Sequence, residues 1–221
     1  AVRARVSETT LDHLVVAAAT LDAGLVHVEK ALGVAVPFGG QHPLMGTHNA
    51  LMQLGPTCFL EVIAIDPEAS DPGRPRWYAL DDPDVQKRLA ERPCLLTWVC
   101  RTNDIAAAVD ASLIDTGPSI EGRRGDLVWQ ITVPDDGSLA EGGLFPTLLQ
   151  WPESLGENGP VPRMPDLGCK LEKLELVGPN AESLTEGLSA IGFDGPVQTT
   201  NSASVALRAT IETPHGTHIL D

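Results

Sequence analysis

Residues Leu11–Gly33 read LDHLVVAAATLDAGLVHVEKALG and hold two elements with the turn between them. The first part, LDHLVVAA over Leu11–Ala18, is a short Val-rich apolar run bounded by polar residues, which predicts a buried strand. The period then changes. Leu21, Leu25, Val28 and Leu32 recur at helical spacing. Thr20 stands at the N-cap position, Asp22 in the first turn, and Gly33 just past the end, where a left-handed residue closes a helix. Short strands follow: Val34–Phe38, ended by Gly39-Gly40, then Asn49–Leu54 and Cys58–Ile65, joined around Gly55-Pro56. Strand, helix and three strands within about 55 residues make one β-α-β-β-β unit.

The order then restarts twice. LTWVCRTNDIAAAV opens a second unit, with a strand at Leu95–Cys100, a helix at Asp104–Leu113, and strands at Leu127–Val133 and Phe145–Trp151. LEKLELVGPNAESL opens a third, with a strand at Leu171–Val177 that buries its Leu174 and Leu176 face. A helix over Ala181–Ile191, stopped by Gly192, and strands at Val205–Glu212 and Thr217–Leu220 complete it. The starts lie about 75 to 85 residues apart, a spacing that suits tandem modules rather than a solenoid. Between the first two units, Asp66–Arg76 reads as a Pro-rich linker and Asp84–Arg92 as a short helix. Glu153–Asp166 reads as a long loop.

The net charge of −15 argues against nucleic acid and against anionic membranes, both of which need clustered Lys and Arg. No apolar run approaches the ~20 residues that span a bilayer, and Ala1–Thr10 has no apolar leader core, so a cytoplasmic protein is expected. Cys58, Cys94, Cys100 and Cys169 lack CxxC spacing and read as reduced thiols, mostly in the core. With no P-loop and no GxGxxG, no nucleotide cofactor is expected.

One residue is out of place chemically. Glu61 sits between Leu60 and Val62 in CFLEVIAI, and a carboxylate on a dry face needs a partner or an ion. On strand alternation it shares a face with Phe59 and Ile63, and His13 shares one with Leu11 and Val15. Imidazole nitrogen and carboxylate oxygen together suit borderline divalent metals. His42 and His48 frame the glycine-rich loop GGQHPLMGTHN, and Trp98, Trp129 and Trp151 offer aromatic surface.

LDHLVV, FLEVIAI and above all GGQHPLMGTHNALMQLG resemble the signatures of glyoxalase-like domain proteins of the vicinal oxygen chelate superfamily. That superfamily includes glyoxalase I, extradiol dioxygenases and bleomycin resistance proteins. The resemblance implies an α+β fold in which paired β-α-β-β-β modules form a curved sheet cup with helices on the convex side. The modules would span residues 9–66 and 94–152, with a C-terminal partial β-α-β-β unit, 170–221, packed on the same sheet. It implies metal ligands on the first and last strand of a module, here His13 and Glu61. The second module aligns Trp98 with His13 and Gln150 with Glu61, and the third unit aligns Lys173 with His13, which leaves Gln150 as a weak third ligand. The ion would be a loosely held Zn, Fe, Mn, Ni or Co, with Glu61 as the catalytic base. His42, His48, Asn49, Trp98 and Trp151 would line a small-molecule pocket on the concave face. The implied activity is a metal-dependent isomerase, lyase or dioxygenase acting on a small oxygen-rich substrate, in a homodimer. The alternative is a metal-free binding or sequestering protein of the bleomycin-resistance kind, with drug or toxin ligands drawn toward cations by the acidic charge.

Overall fold

The structure is a computed structural model that describes residues 8–221; most of the leader reading at Ala1–Thr10 falls outside them. The first unit is β1 (Thr9–Ala17), α1 (Leu21–Leu32), β2 (Phe38–His42), β3 (Thr47–Gln53) and β4 (Phe59–Ile65). Thr20 Oγ1 accepts from Ala23 N, and Gly33 ends α1 in the left-handed region, so the sequence signals act as read. Gly39-Gly40 lies inside β2 rather than ending a strand. After α2 (Pro83–Glu91) comes the second unit: β5 (Cys94–Thr102), α3 (Ile105–Ala111), β6 (Ser119–Arg124), β7 (Leu127–Thr132) and β8 (Thr147–Gln150). The third is β9 (Lys170–Gly178), α4 (Ala181–Ala190), β10 (Phe193–Asp194), β11 (Val197–Asn201), β12 (Ala206–Thr213) and β13 (Gly216–Leu220).

The first two units share one curved sheet in the order β2-β3-β4-β1-β5-β8-β7-β6. β1 and β5 run antiparallel at its centre, and each pairs in parallel with the last strand of its own unit. The outer strands β2 and β6 come back into contact, so the sheet nearly closes into a cup. Apolar residues on the convex face, among them Leu14, Val16, Val62 and Trp98, form one core with residues of α1 and α3. The cup is stoppered from the linker side: Trp77, Tyr78 and Leu80 join Val15, Ile63, Leu96 and Val99 in a second buried cluster.

Residues 170–221 form a sheet of their own, in the order β11-β9-β12-β13. Only the two-residue β10 joins the large sheet, beside Thr9 and Thr10 of β1. The small sheet adds Leu174, Leu176, Leu207 and Ile211, all buried, to the convex core. Among the described residues no helix is long and apolar enough to cross a membrane.

The helix–sheet spacing that fixes β4 depends on Gly24 of α1. A Cβ there would stand 2.6 Å from Val62 Cγ1 and 3.0 Å from the Ala18 Cβ. Gly→Ala in a helix ordinarily stabilises, by up to ~1 kcal/mol. Gly24→Ala is instead expected to destabilise by roughly 1–3 kcal/mol through overpacking, read as a lower urea midpoint at unchanged slope. A midpoint that rises would refute the close contact.

Candidate functional site

The site begins with an irregularity in β1. The register with β5 shifts between Leu11 and His13, so Asp12 is the extra residue of a β-bulge. The bulge breaks the expected alternation. Leu11 turns into the convex core with Leu14 and Val16, while His13 lines the cavity on Val15's side of the sheet. It also buries Asp12 completely. Asp12 Oδ1 accepts from Trp151 Nε1 at 2.9 Å and lies 3.5 Å from Arg101 Nη1, and Oδ2 lies 2.7 Å from His13 Nδ1. The carboxylate therefore orients the imidazole and places a proton on Nδ1.

The other nitrogen, His13 Nε2, lies 3.3 Å from Glu61 Oε2. It is buried and has no aligned hydrogen-bond acceptor. Phe59 stacks on the ring at 4.3 Å. Glu61 Oε1 accepts from Asn49 Nδ2 at 2.7 Å, and Asn49 Oδ1 accepts from Gly40 N at 3.1 Å. Gly39 is what admits this amide, since a Cβ there would stand 2.5 Å from Asn49 Oδ1. The glycine pair and Asn49 of the sequence signature thus form one device that holds Glu61.

Charge in the site is unusually arranged. Burial would lower the His13 pKa, but the Asp12 hydrogen bond and the close carboxylates of Asp12 and Glu61 outweigh it and lift it to about 9. Burial would likewise raise Glu61, yet His13 and Asn49 hold it below the ordinary range. At neutral pH the pair is imidazolium and carboxylate. His42 is the opposite case: burial pushes it down to about 4, so it is neutral. Its Nδ1 lies 3.1 Å from Thr47 Oγ1 and its Nε2 3.4 Å from Asn49 Nδ2.

A raised histidine pKa stabilises the fold below the free value of about 6.5, and that contribution is lost as pH rises through the folded value. The buried thiols enter only above about pH 8.5. The urea midpoint is therefore expected to fall between about pH 6.5 and 8.5 as the His13 charge is lost, part of a total of a few kcal/mol. In His13→Asn the slope over that window should vanish. An equally steep fall in the variant would assign it to another group.

The cavity is walled by aromatic and apolar side chains: Phe59, Trp77, Tyr78, Trp129, Trp151, Leu51, Ile131, Leu149 and Met164. The Trp129 ring packs 6.3 Å from His42 and 5.4 Å from Trp151, in space that Gly122 leaves free. Tyr78 and Ala79 are both left-handed, with φ of 58° and 53°, and this turn presents the buried Tyr78 ring to the cavity.

Of the expected site residues, the fold gathers His13, Glu61, His42, Asn49 and Trp151 around the cavity. Three lie elsewhere. Trp98 pairs across the sheet with Leu14 and is wholly buried in the convex core, with Nε1 donating to Leu144 O at 2.9 Å. Gln150 turns away and accepts from Ile105 N at 2.9 Å, serving the start of α3. His48 points from β3 to the side opposite Asn49, with Nδ1 4.0 Å from Asp66 Oδ1. Lys173 sits in the small sheet beside Glu175, at 3.3 Å. Sequence reasoning missed Asp12, Tyr78 and Arg124, which also lines the cavity. Asp12 was legible as a charge next to His13 inside an apolar strand.

The donors bear on a metal. His13 Nε2 and Glu61 Oε2 are spaced as two ligands of one ion would be, at about 2.1 Å each. Asp12 behind His13 is the usual carboxylate support of a ligating imidazole. No third donor joins them: among the described residues no group of three or more His, Cys, Asp or Glu is placed to hold an ion.

A family model described as a glyoxalase-like domain matches residues 11–192. Among curated proteins none matches significantly. Among solved structures, a hypothetical protein from Staphylococcus aureus is 13% identical with a TM-score of 0.62, covering 96% of this chain and 98% of that one. That structure shares the whole-chain fold. Methylmalonyl-CoA epimerase from Mycobacterium tuberculosis is 21% identical with a TM-score of 0.41, over 66% of this chain and 89% of its own. A Streptomyces coelicolor methylmalonyl-CoA epimerase variant, in complex with 2-nitronate-propionyl-CoA, is 20% identical with a TM-score of 0.39, over 64% and 96%.

Proposed function

The chain belongs to the glyoxalase-like domain family of the vicinal oxygen chelate superfamily, and from that premise we propose that its cavity binds a small carbonyl compound and moves a proton on the carbon beside the carbonyl. One observation carries the reading: a carboxylate and an imidazolium face each other 3.3 Å apart in an aromatic cavity, and the imidazolium Nε2 has no aligned acceptor.

Glu61 takes the proton from the carbon. The C–H electron pair moves toward the carbonyl oxygen, and His13 Nε2–H donates a hydrogen bond to that oxygen as its charge develops. Return of that proton from Glu61 to the adjacent carbon of the enediol gives an isomerase; loss of a leaving group from the next carbon gives a lyase. A substrate oxygen at Nε2 takes the free N–H, draws the imidazolium's charge away from Glu61 and so returns the carboxylate toward ordinary basicity. Asn49 and Asp12 hold the pair in position, and the aromatic wall excludes water, which strengthens both charges. In this reading residues 9–66 carry the reactive pair, residues 94–152 form the facing wall, and residues 170–221 take no part in the cavity.

The spacing of His13 Nε2 and Glu61 Oε2 favours a second reading, in which these two atoms hold a divalent ion loosely, because neither Gln150 nor another side chain completes the set. Such an ion supplies a Lewis acid for substrate oxygens. The experiment is exchange of solvent deuterium into small 2-hydroxy and 2-oxo carbonyl compounds, with chelator and with added Mn, Zn, Ni, Co or anaerobic Fe(II), in the protein and in Glu61→Gln. Exchange with chelator supports the metal-free pair, exchange only with ion supports the second reading, and binding without exchange leaves a sequestering pocket.

A further inference from the structure

We propose that the ligand of this cavity ends in a carboxylate, which the Arg124 guanidinium holds; the inference names a substrate class for the His13–Glu61 site and rests on that reading only for where the reacting carbon lies. Arg124 is the last residue of β6 and lines the cavity from the second unit. Its stem lies across Gly40 of β2, where a Cβ would come 3.0 Å from Arg124 Cδ, so the same glycine pair that seats Asn49 also admits this side chain. Here the two outer strands of the cup meet.

The other charges at the cavity are matched. Asp12 lies against Arg101 at 3.5 Å and Glu61 against His13 at 3.3 Å. His42 is neutral and already bonded by Thr47 and Asn49. Arg124 makes no hydrogen bond or ion pair with any described side chain, although carboxylates outnumber cations by 15 in the whole chain. A guanidinium left half-buried without a carboxylate, in so acidic a protein, is a vacancy for an anion from outside. The planar fork suits a carboxylate, which it binds through two parallel hydrogen bonds. A single cation on an apolar wall matches one negative charge rather than a phosphate dianion, whose sites gather several donors. The net charge alone points the other way, toward cations, and the local arrangement overrules it.

The probes are benzoate and hexanoate, their uncharged amides, and benzylammonium, each titrated against the intact protein by quenching of the cavity tryptophans Trp77, Trp129 and Trp151. At least one carboxylate is expected to bind about tenfold or more tighter than its amide, the scale of a charge-assisted pair. Arg124→Leu, which keeps an apolar stem over Gly40, should erase that preference and leave amide binding unchanged, with the same melting temperature. Arg124→Lys should keep part of it. Tighter binding of benzylammonium, failure of both carboxylates to outbind their amides, or an unchanged preference in a folded Arg124→Leu overturns the proposal. Glu61→Gln should retain the carboxylate preference, so loss of proton exchange in that variant with the preference intact separates this inference from the reading of the reactive pair.

Discussion

Glu61→Gln is expected to reduce solvent exchange into a bound carbonyl compound by about 10²- to 10⁴-fold, the usual contribution of a positioned general base. Glutamine keeps the acceptor oxygen that takes the Asn49 bond at 2.7 Å, so the side chain should stay in place and the cavity should still bind. What it loses is the charge facing His13. The imidazole pKa, about 9 in the native arrangement, should drop in the variant, partly rather than wholly, because Asp12 still holds Nδ1 at 2.7 Å. Proton NMR of the imidazole reads this shift without reference to any substrate. Two measurements therefore test two claims. An unshifted His13 titration would mean the two groups do not face each other. A shifted titration with undiminished exchange would mean they do, but that Glu61 is not the base.

Trp98→Ala should be the most damaging single change to the fold and should have no direct effect on the cavity. The indole is fully buried in the convex core, edge-on to Phe193 at 5.2 Å, and its Nε1 satisfies the Leu144 carbonyl. Removing a buried tryptophan costs about 3–5 kcal/mol, on the order of 10 °C in a chain of this size, and the carbonyl is left without its donor. Trp151→Ala is the contrasting case. That ring is half-buried, lines the cavity and bonds Asp12 at 2.9 Å. It should lose ligand binding at a much smaller thermal cost. If both variants lose ligand and stability to the same extent, the division between core and cavity tryptophan is wrong.

The repeated unit was legible because its signals are local. Periodic leucines, Thr20 and Gly33 define α1, and Val-rich or alternating runs mark β1, β4, β5 and β9. Glu61 and His13 stood out because charge and imidazole inside apolar strands are costly. What escaped had a physical reason in each instance. β6, SIEGRR, is polar with half its residues exposed, so it shows no apolar alternation, and Arg124 was lost with it. β10 and β11 are short and rich in polar residues. The assignment of Trp98 to the pocket failed because parity along a strand holds only while the register is regular. The extra residues at Asp12 in β1 and Leu96 in β5 break that parity, and His13 and Trp98 lie on different faces although they occupy matching places in their segments. Tyr78 lies in the connection between units, where no pattern announces a left-handed pair.

The small C-terminal sheet also sets a schedule for synthesis. Every strand of the cup's eight-strand path ends by Gln150, yet its convex core is completed only when Leu171–Leu220 arrive. At about 5–20 residues per second, that segment takes roughly 3 to 10 s to be made. Through that interval a nascent chain has paired strands and an apolar back that only α1 and α3 partly cover. This is the period in which neighbouring copies can associate wrongly. Conditions that slow elongation lengthen it, and yield of folded protein should track the speed of the codons for residues 171–220 more closely than that of the codons for residues 9–66.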